Sequence, residues 1–166
     1  MISEVFPNLF RIEVPLPRNP LKSLNAYLFR SPHRHLLVDT GMNREECRSV
    51  LFAALKELHV DMARTDLFIT HLHADHSGLA ADLMTPTSRA YASALDGEGI
   101  NAFGRGERWE DLLDYARKSG FPAVELAESI TRHPGFRYRC KDHVPFTAIA
   151  EGEVLAAGDY RLTCIE

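Results

Sequence analysis

The sequence concentrates metal-binding side chains in one short stretch. His71, His73, Asp75 and His76 fall within six residues, directly after the apolar run 66–70. Imidazole nitrogen and carboxylate oxygen are the ligands that suit zinc and its neighbours in the first transition row. His71 and His73, two residues apart, can turn their rings to one side and share a metal ion. Asp75 and His76 lie where the chain turns into the next helix, from which both can reach a second position nearby.

The position of this cluster favours a built site. In open α/β sheets, sites form beyond the carboxyl ends of strands, and the cluster follows the predicted strand 66–70. The simpler alternative is a solvated histidine-rich loop with incidental affinity for metal. Ligand types, spacing and position together favour a metal centre over that loop.

The elements around the cluster alternate between strands and helices. Alternation of apolar and polar residues predicts strands, and apolar residues at i, i+3 and i+4 spacing predict a helix. The predicted strands are 9–16, 24–31, 33–41, 66–70 and 88–93, and the predicted helices are 43–60 and 77–84. This rhythm is typical of an α/β layer.

Residues 94–140 interrupt the rhythm as a helical insertion. Two helical patterns, 107–120 and 122–133, lie within it, and three short strands are predicted in 146–166. Its apolar residues fall partly at helical spacing, which favours core packing. An insertion placed after the metal cluster could also overhang the site as a lid. The residues concerned are Phe103, Trp109, Leu112, Leu113, Tyr115, Ala116 and Phe121.

Composition limits the class of protein. The 166 residues, 45% hydrophobic and 25% charged, suit one soluble globular domain over 1–166. No apolar run is long enough to span a membrane, and the start lacks the layout of a signal peptide. A net charge of -4 without a basic block argues against a nucleic-acid partner. The three cysteines form no CxxC pair, so we predict a reduced, cytoplasmic protein.

The cluster resembles a known signature. His71-x-His73-x-Asp75-His76 followed by Gly78 is similar to the signature of the metallo-β-lactamase-fold hydrolases. Residues 37–41 (LVDTG) resemble the upstream aspartate strand of that family, and residues 162–166 resemble the strand before its third motif. The resemblance implies an α/β (α+β) fold: the N-terminal half of an αβ/βα sandwich, with a mixed sheet, outer helices and the insertion 94–140.

The resemblance also implies roles for individual residues. His71 and His73 would bind a first metal ion, and Asp75 and His76 would help to bind a second. Asp75 would also face the bridging hydroxide that attacks the substrate. Asp39 would lie behind the ligands and hold their loop by hydrogen bonds. Zinc is the implied metal, in one or two sites, with iron or manganese as alternatives.

The remaining ligands of the family come from its second half. No position here matches them, because His133 and His143 occur too early in the sequence. We therefore expect an incomplete domain, cut before the third motif. An incomplete site leaves the metal occupancy and the independent activity of the chain open.

The function expected from the resemblance is metal-dependent hydrolysis, in which a metal-bound hydroxide attacks a carbonyl group. The negative net charge argues against the nuclease branch, and the missing signal peptide argues against a secreted β-lactamase. The oxygen-reducing diiron branch has Glu where His73 stands here. A small thioester, lactone or other ester remains as the expected substrate. The alternative is a non-catalytic metal-binding or assembly module that keeps the fold.

The expected partners are a small-molecule substrate and a second copy of the chain. In the resembled fold two sheets pack face to face, so a lone first half would leave one sheet face without cover. Such apolar faces usually mark interfaces. We therefore expect self-association, as a symmetric dimer, through strand residues such as Leu36, Val38, Phe68, Ile149 and Leu162.

Overall fold

A seven-stranded mixed sheet forms the body of the chain, in strand order β1 to β7. The computed structural model describes residues 1–165, without the side chains of residues 123, 124 and 127. Glu166, which belongs to the last predicted strand, lies outside the described residues. The sheet contains β1 (Ile2–Phe6), β2 (Leu9–Pro15), β3 (Ser23–Phe29), β4 (His35–Val38), β5 (Thr65–Phe68), β6 (Ala90–Ala92) and β7 (Phe146–Ala148). A separate hairpin contains β8 (Val154–Ala157) and β9 (Tyr160–Thr163).

The first four strands pair antiparallel in chain order. In β2 the side chains alternate strictly: Ile12 and Val14 are fully buried, whereas Arg11 and Glu13 are half-buried and form an ion pair of 3.1 Å. That alternation is the pattern from which this strand was predicted. Strand β1 was not predicted from the sequence, because its side chains are only partly buried or exposed and show no alternation.

The strands β4 to β7 run parallel, and each parallel pair needs a crossover. Helix α1 (Glu45–Glu57) and a 3-10 turn (Met62–Arg64) connect β4 to β5. Leu51 and Leu55 of α1 are buried against the sheet core. The predicted mixed sheet with outer helices is therefore confirmed.

The helix predicted over 77–84 is wrong in its bounds. Two short helices occupy this region, α2 (Ala74–Ser77) and α3 (Ala80–Leu83). They are separate because the backbone N–H of Leu79 donates to Gly41 O (3.1 Å) and Thr40 Oγ1 (3.2 Å), on the loop after β4. A long-range pairing that local periodicity does not reveal thus interrupts the helix.

The crossover from β6 to β7 is the helical insertion. It contains α4 (Ala94–Arg105), α5 (Glu107–Lys118), α6 (Ala123–Arg132) and α7 (Pro134–Arg137). Helix α4 was not predicted from the sequence, because three glycines in its interior weaken the helical pattern. Its N-cap is nevertheless regular, since Ser93 Oγ accepts from the Asp96 N–H at 3.0 Å. None of the helices within residues 1–165 has the length and apolar character to cross a membrane.

The two faces of the sheet are covered to different extents. The main core, which includes Ile12, Leu37 and Leu67, lies under the helices. On the opposite face the β8–β9 hairpin packs over Leu36, which is only 4% exposed, and half-covers Val38 and Phe68. Leu162, expected on the sheet face, lies instead in β9 of the hairpin and packs against this face. The expectation that this face lacks all cover is therefore wrong for Leu36. An open apolar groove of about 370 Å³ remains beside the hairpin.

Candidate metal centre

The signature segment, residues 70–78, begins at the carboxyl end of β5. Because β4 and β5 are parallel neighbours, the residues after both strands meet at one edge of the sheet. Asp39 N–H donates to Phe68 O (2.9 Å), and Thr40 N–H donates to His76 O (2.8 Å). The pairing thus places Asp39 beside the signature segment, 31 residues away from Thr70 in sequence.

The Asp39 carboxylate contacts three polar groups at this edge of the sheet. Its carboxylate accepts the Thr70 backbone N–H at 2.9 Å and the Thr70 hydroxyl at 2.8 Å. It also contacts Nδ1 of His76 at 2.7 Å. The residue is 5% exposed and has a φ of 60°, a left-handed conformation that aspartate tolerates better than most residues. Asp39 therefore fixes both the start of the signature segment and the His76 ring.

His76 is oriented with Nδ1 towards Asp39 and Nε2 towards Asp75. The Nε2 to Asp75 Oδ2 distance is 3.7 Å. Burial lowers the pKa of His76, but the hydrogen bond to Asp39 and the charges of Asp39 and Asp75 outweigh it and raise the pKa overall. A carboxylate on the far nitrogen of a histidine is the usual way to orient a metal-binding imidazole.

His71 and His73 form a second pair of donors. Nε2 of His71 lies 3.1 Å from Nδ1 of His73, and the His71 and His76 ring centroids are 4.0 Å apart. Burial, together with the neighbouring charges of His76 and His73, lowers the pKa of His71. The lowered pKa favours the neutral imidazole of His71, which is the form that can bind a metal ion.

The donor set fits a transition metal in its chemistry. Two imidazole nitrogens bound to one tetrahedral zinc ion at 2.0–2.1 Å are about 3.3–3.4 Å apart, close to the separation in the His71–His73 pair. Within residues 1–165, no three His, Cys, Asp or Glu side chains converge closely enough to hold an ion together. The His71 ring lies near both His73 and His76, at centroid distances of 4.7 Å and 4.0 Å, so the three imidazoles are neighbours.

One residue of the helical insertion also holds the signature segment. Asp96 Oδ1 accepts the Leu72 backbone N–H at 2.8 Å, and its Oδ2 accepts the Ser93 hydroxyl at 2.7 Å. Asp96 was not identified from the sequence. The Ser-x-x-Asp spacing at a helix start was the available signal, because this spacing is typical of a capped N-terminus.

A cavity of about 480 Å³ adjoins the cluster. His73, Ala74 and Ser77 form one wall, and the helical insertion forms the others. Of the apolar residues singled out in the insertion, Phe103, Trp109, Leu112, Tyr115 and Ala116 line this cavity. They are thus not simply core residues of the sheet, and the insertion extends over the side of the signature segment that carries His73.

A sheet edge with this His/Asp cluster, flanked by a helical insertion, defines the class of the protein. Residues 20–130 match the model of the metallo-beta-lactamase superfamily, and the chain belongs to this family. This match confirms the family that was inferred from the signature residues.

Three of the matched curated relatives are named as thioesterases. The atrochrysone carboxyl ACP thioesterases of Emericella nidulans and Passalora fulva are 30% identical over 83 residues and 31% identical over 87 residues. Each match covers 50% of this chain and 25% of the relative. The chain thus matches about a quarter of the length of these enzymes.

Solved structures show the same fold. A metallo-beta-lactamase family protein from Thermus thermophilus has a TM-score of 0.74 and 25% identity, over 96% of this chain and 52% of its own. A subclass B3 metallo-beta-lactamase from a soil metagenome library has a TM-score of 0.65 and 19% identity, over 98% of this chain and 50% of its own. The chain spans about half the length of these structures.

Proposed function

We propose that this chain carries the first half of the active site of a zinc-dependent hydrolase that cleaves a small thioester, lactone or other ester. The observation that carries the proposal is the arrangement of Asp39, His71, His73 and His76 at the carboxyl edge of parallel strands. Asp39 and Thr70 hold the His-containing segment against the sheet by hydrogen bonds. Such preorganisation is what metal sites require from the residues around the ligands.

The residues have distinct parts in the proposal. His71 and His73 would hold one metal ion, and Asp75 and His76 would help to hold a second. A zinc ion held by these residues would supply Lewis-acid chemistry, by which a carbonyl group is polarised and the pKa of a bound water is lowered. Asp39 keeps the His76 ring in the orientation that turns Nε2 towards Asp75, whose Oδ2 lies 3.7 Å away. Iron or manganese would suit the same donors.

A thioester is the substrate that the relatives favour. Both thioesterases match this chain at about 30% identity, although over a quarter of their length. In the proposed reaction, water adds to the acyl carbon and the carbon–sulfur bond breaks, so that a carboxylic acid and a thiol are released. The net charge of -4 argues against the phosphodiester substrates of nucleases. A cytoplasmic location remains a prediction from composition.

Metal content and thioester turnover test the proposal. The purified chain is dialysed against zinc, analysed for bound metal, and assayed with a generic aryl thioester. Replacing His71 and His73 together with alanine should abolish tight zinc uptake. The matched control replaces His33 and His143, which lie outside the cluster and are exposed. Zinc uptake that is unchanged in the first double variant would refute the ligand assignment. Metal uptake without turnover would favour a non-catalytic metal-binding module or an enzyme whose site is incomplete in this chain.

A further inference from the structure

The cavity beside the signature segment has the size of a ligand pocket. Its volume of about 480 Å³ lies in the range of pockets that enclose small molecules. Most of its wall is apolar, with Leu72, Ile100, Phe103 and Ile130 as examples. Because His73 lies in the same wall, a ligand that fills the cavity is held next to the metal-binding cluster.

The two serine hydroxyls of this wall already have partners within the chain. Ser77 Oγ donates to the carbonyl oxygens of Leu72 and His73, at 3.1 Å and 3.0 Å. Ser129 Oγ donates to Leu126 O at 2.8 Å. A hydroxyl whose hydrogen is bound to a main-chain oxygen has no hydrogen left to donate to a ligand. The serines therefore complete the main chain of the wall and do not mark a place for a polar ligand group.

The nitrogen donors of the wall are also engaged or covered. Nε of Arg139 donates to Gly104 O at 3.3 Å, and Nη1 donates to Phe136 O. The indole Nε1 of Trp109 is buried and has no surface open to the cavity, so this ring presents carbon atoms. A polar group that enters such a space loses its hydrogen bonds to water without replacing them. The interior of the cavity therefore favours a hydrocarbon.

Three exposed residues mark the side of the cavity that faces solvent. Tyr115 is 72% exposed, Leu112 is 46% exposed, and His133 is also exposed. Leu112 thus combines a place in the cavity wall with apolar surface that is open to water. A hydrocarbon that enters the cavity covers this surface, which is favourable because apolar area is removed from water.

We infer that this cavity binds a hydrocarbon group of about six to twelve carbons next to the scissile bond, and that the site therefore prefers long-chain to short-chain thioesters. The inference rests on the proposed function for the position of that bond near His73. A methylene group takes up about the volume of a water molecule, roughly 30 Å³, so a chain of this length fits the cavity. The hydrocarbon can belong to the acyl or to the thiol part of the thioester, and the assays below separate the two.

Amides that resist hydrolysis measure binding apart from turnover. N-(2-acetamidoethyl) amides of butanoic, hexanoic and octanoic acid differ only in chain length. Equilibrium dialysis against the 166-residue chain should show about 2- to 4-fold tighter binding for each added methylene, because full burial of one methylene supplies about 4-fold. Trp109 lines the cavity and is the only tryptophan of the sequence, so a saturable change in its fluorescence reports binding at this site.

An ether analogue tests whether the wall lacks a donor for the ligand. The corresponding amide of 4-propoxybutanoic acid has the chain length of the octanoyl compound, with one methylene replaced by oxygen. It should bind more weakly by about 5-fold or more, because the oxygen loses its hydrogen bonds to water in the cavity. Equal binding of the ether and the octanoyl compound would overturn the preference for a hydrocarbon.

Two leucine variants locate the bound chain. Leu112→Asn makes the wall polar at a partly exposed position of α5, and should weaken binding of the octanoyl amide by about 4- to 10-fold. Leu95→Asn is the matched control, since Leu95 is 82% exposed, lies in α4 outside the cavity wall, and should leave binding within about 2-fold.

Circular dichroism verifies that each variant is folded. Binding to folded Leu112→Asn that is as tight as binding to the unmodified chain would overturn the placement of the hydrocarbon in this cavity. If Leu112→Asn does not fold, the chain-length series and the ether analogue in the unmodified chain still decide the inference. Affinity that does not depend on chain length would refute it.

Thioester assays separate this inference from the proposed function. S-ethyl decanethioate and S-decyl ethanethioate are isomers that carry the long chain on the acyl and on the thiol side, and S-ethyl ethanethioate is the short reference. A higher kcat/KM for one isomer supports the inference and assigns the side. Binding that depends on chain length, without turnover of any thioester, supports the pocket and counts against the hydrolase proposal. Equal turnover of all three, without such binding, leaves the hydrolase proposal standing and refutes the pocket.

Discussion

Replacement of Gly78 with alanine should destabilise the whole chain. Gly78 follows α2 at helical φ and ψ angles, so its backbone conformation does not require glycine. Space requires it. A Cβ atom at this position would lie 2.5 Å from Asn43 N, 2.5 Å from Ala74 O and 2.6 Å from Tyr138 O. Asn43 N–H and Tyr138 O are themselves hydrogen-bonded at 2.9 Å. The glycine therefore lies where three main-chain segments meet.

The magnitude follows from which atoms clash. Extra methyl groups in a packed interior usually cost about 1–3 kcal/mol, when side chains can repack. Here all three contacts are main-chain atoms at distances that real Cβ atoms essentially never show. We therefore expect the upper end of that range, a loss of about 3 kcal/mol in the free energy of unfolding. For a chain of this length, such a loss lowers Tm by about 6–12 °C.

Gly99→Ala is the matched control. Gly99 lies inside α4, is buried, and would meet nothing closer than Leu72 Cδ2 at 3.4 Å, an ordinary contact. Alanine there should raise stability by about 0.5–1 kcal/mol, because it is the better helix former. Urea and thermal unfolding, followed by circular dichroism, measure both variants. A Tm of Gly78→Ala within 2 °C of the unmodified chain would show that the three segments move apart easily, and the reasoning would fail.

Three further predictions concern the site, pH and association. Asp39→Asn should weaken zinc binding about 10- to 100-fold while the chain stays folded; zinc titration with an indicator dye checks this, and native affinity would contradict the role of Asp39. Burial lowers the pKa of His35, whose Nδ1 accepts the Ser31 N–H. The neutral His35 side chain should therefore contribute fully to stability above about pH 6.5. This contribution should be lost as the pH falls through the native pKa of His35. His35→Asn should reduce the decrease in unfolding free energy between pH 7 and pH 5, and an equally steep decrease would contradict this. Because an apolar groove containing Val38 and Phe68 remains open, the chain should sediment as a dimer at micromolar concentration, and a clean monomer would refute self-association.

The strands and the first helix could be predicted because their signals are local. The alternation in 9–15 and the apolar spacing in 45–57 each reflect burial of one face. The boundary between α2 and α3 could not be predicted, because Thr40 and Gly41, nearly 40 residues earlier, capture the N–H of Leu79. Such contacts depend on which residues follow two parallel strands that pair side by side. The periodicity of the sequence carries no information about that pairing.

The candidate site also combines residues that could be predicted from local sequence with contacts that could not. His71, His73, Asp75 and His76 were visible because they are clustered in sequence. The contacts of Asp39 depend on the pairing of β4 with β5, which only the resemblance suggested. The cavity could not be predicted, since its walls combine the signature segment with four helices whose apolar patterns resemble ordinary core packing.

The clustering of the donors has a consequence for metal-linked folding. A ligand stabilises a protein only to the extent that it binds the native chain more tightly than the unfolded one. Four donors within six residues remain near one another when the chain unfolds, so the unfolded ensemble also competes for zinc. The folded chain can bind zinc more tightly than the unfolded chain only through contacts that are lost on unfolding. These are chiefly the hydrogen bonds of Asp39 to Thr70 and His76 across the parallel strands. Zinc should therefore raise the melting temperature less than its affinity for the folded chain suggests. The difference between the expected and the observed increase measures how much of the binding free energy the short segment supplies when the chain is unfolded.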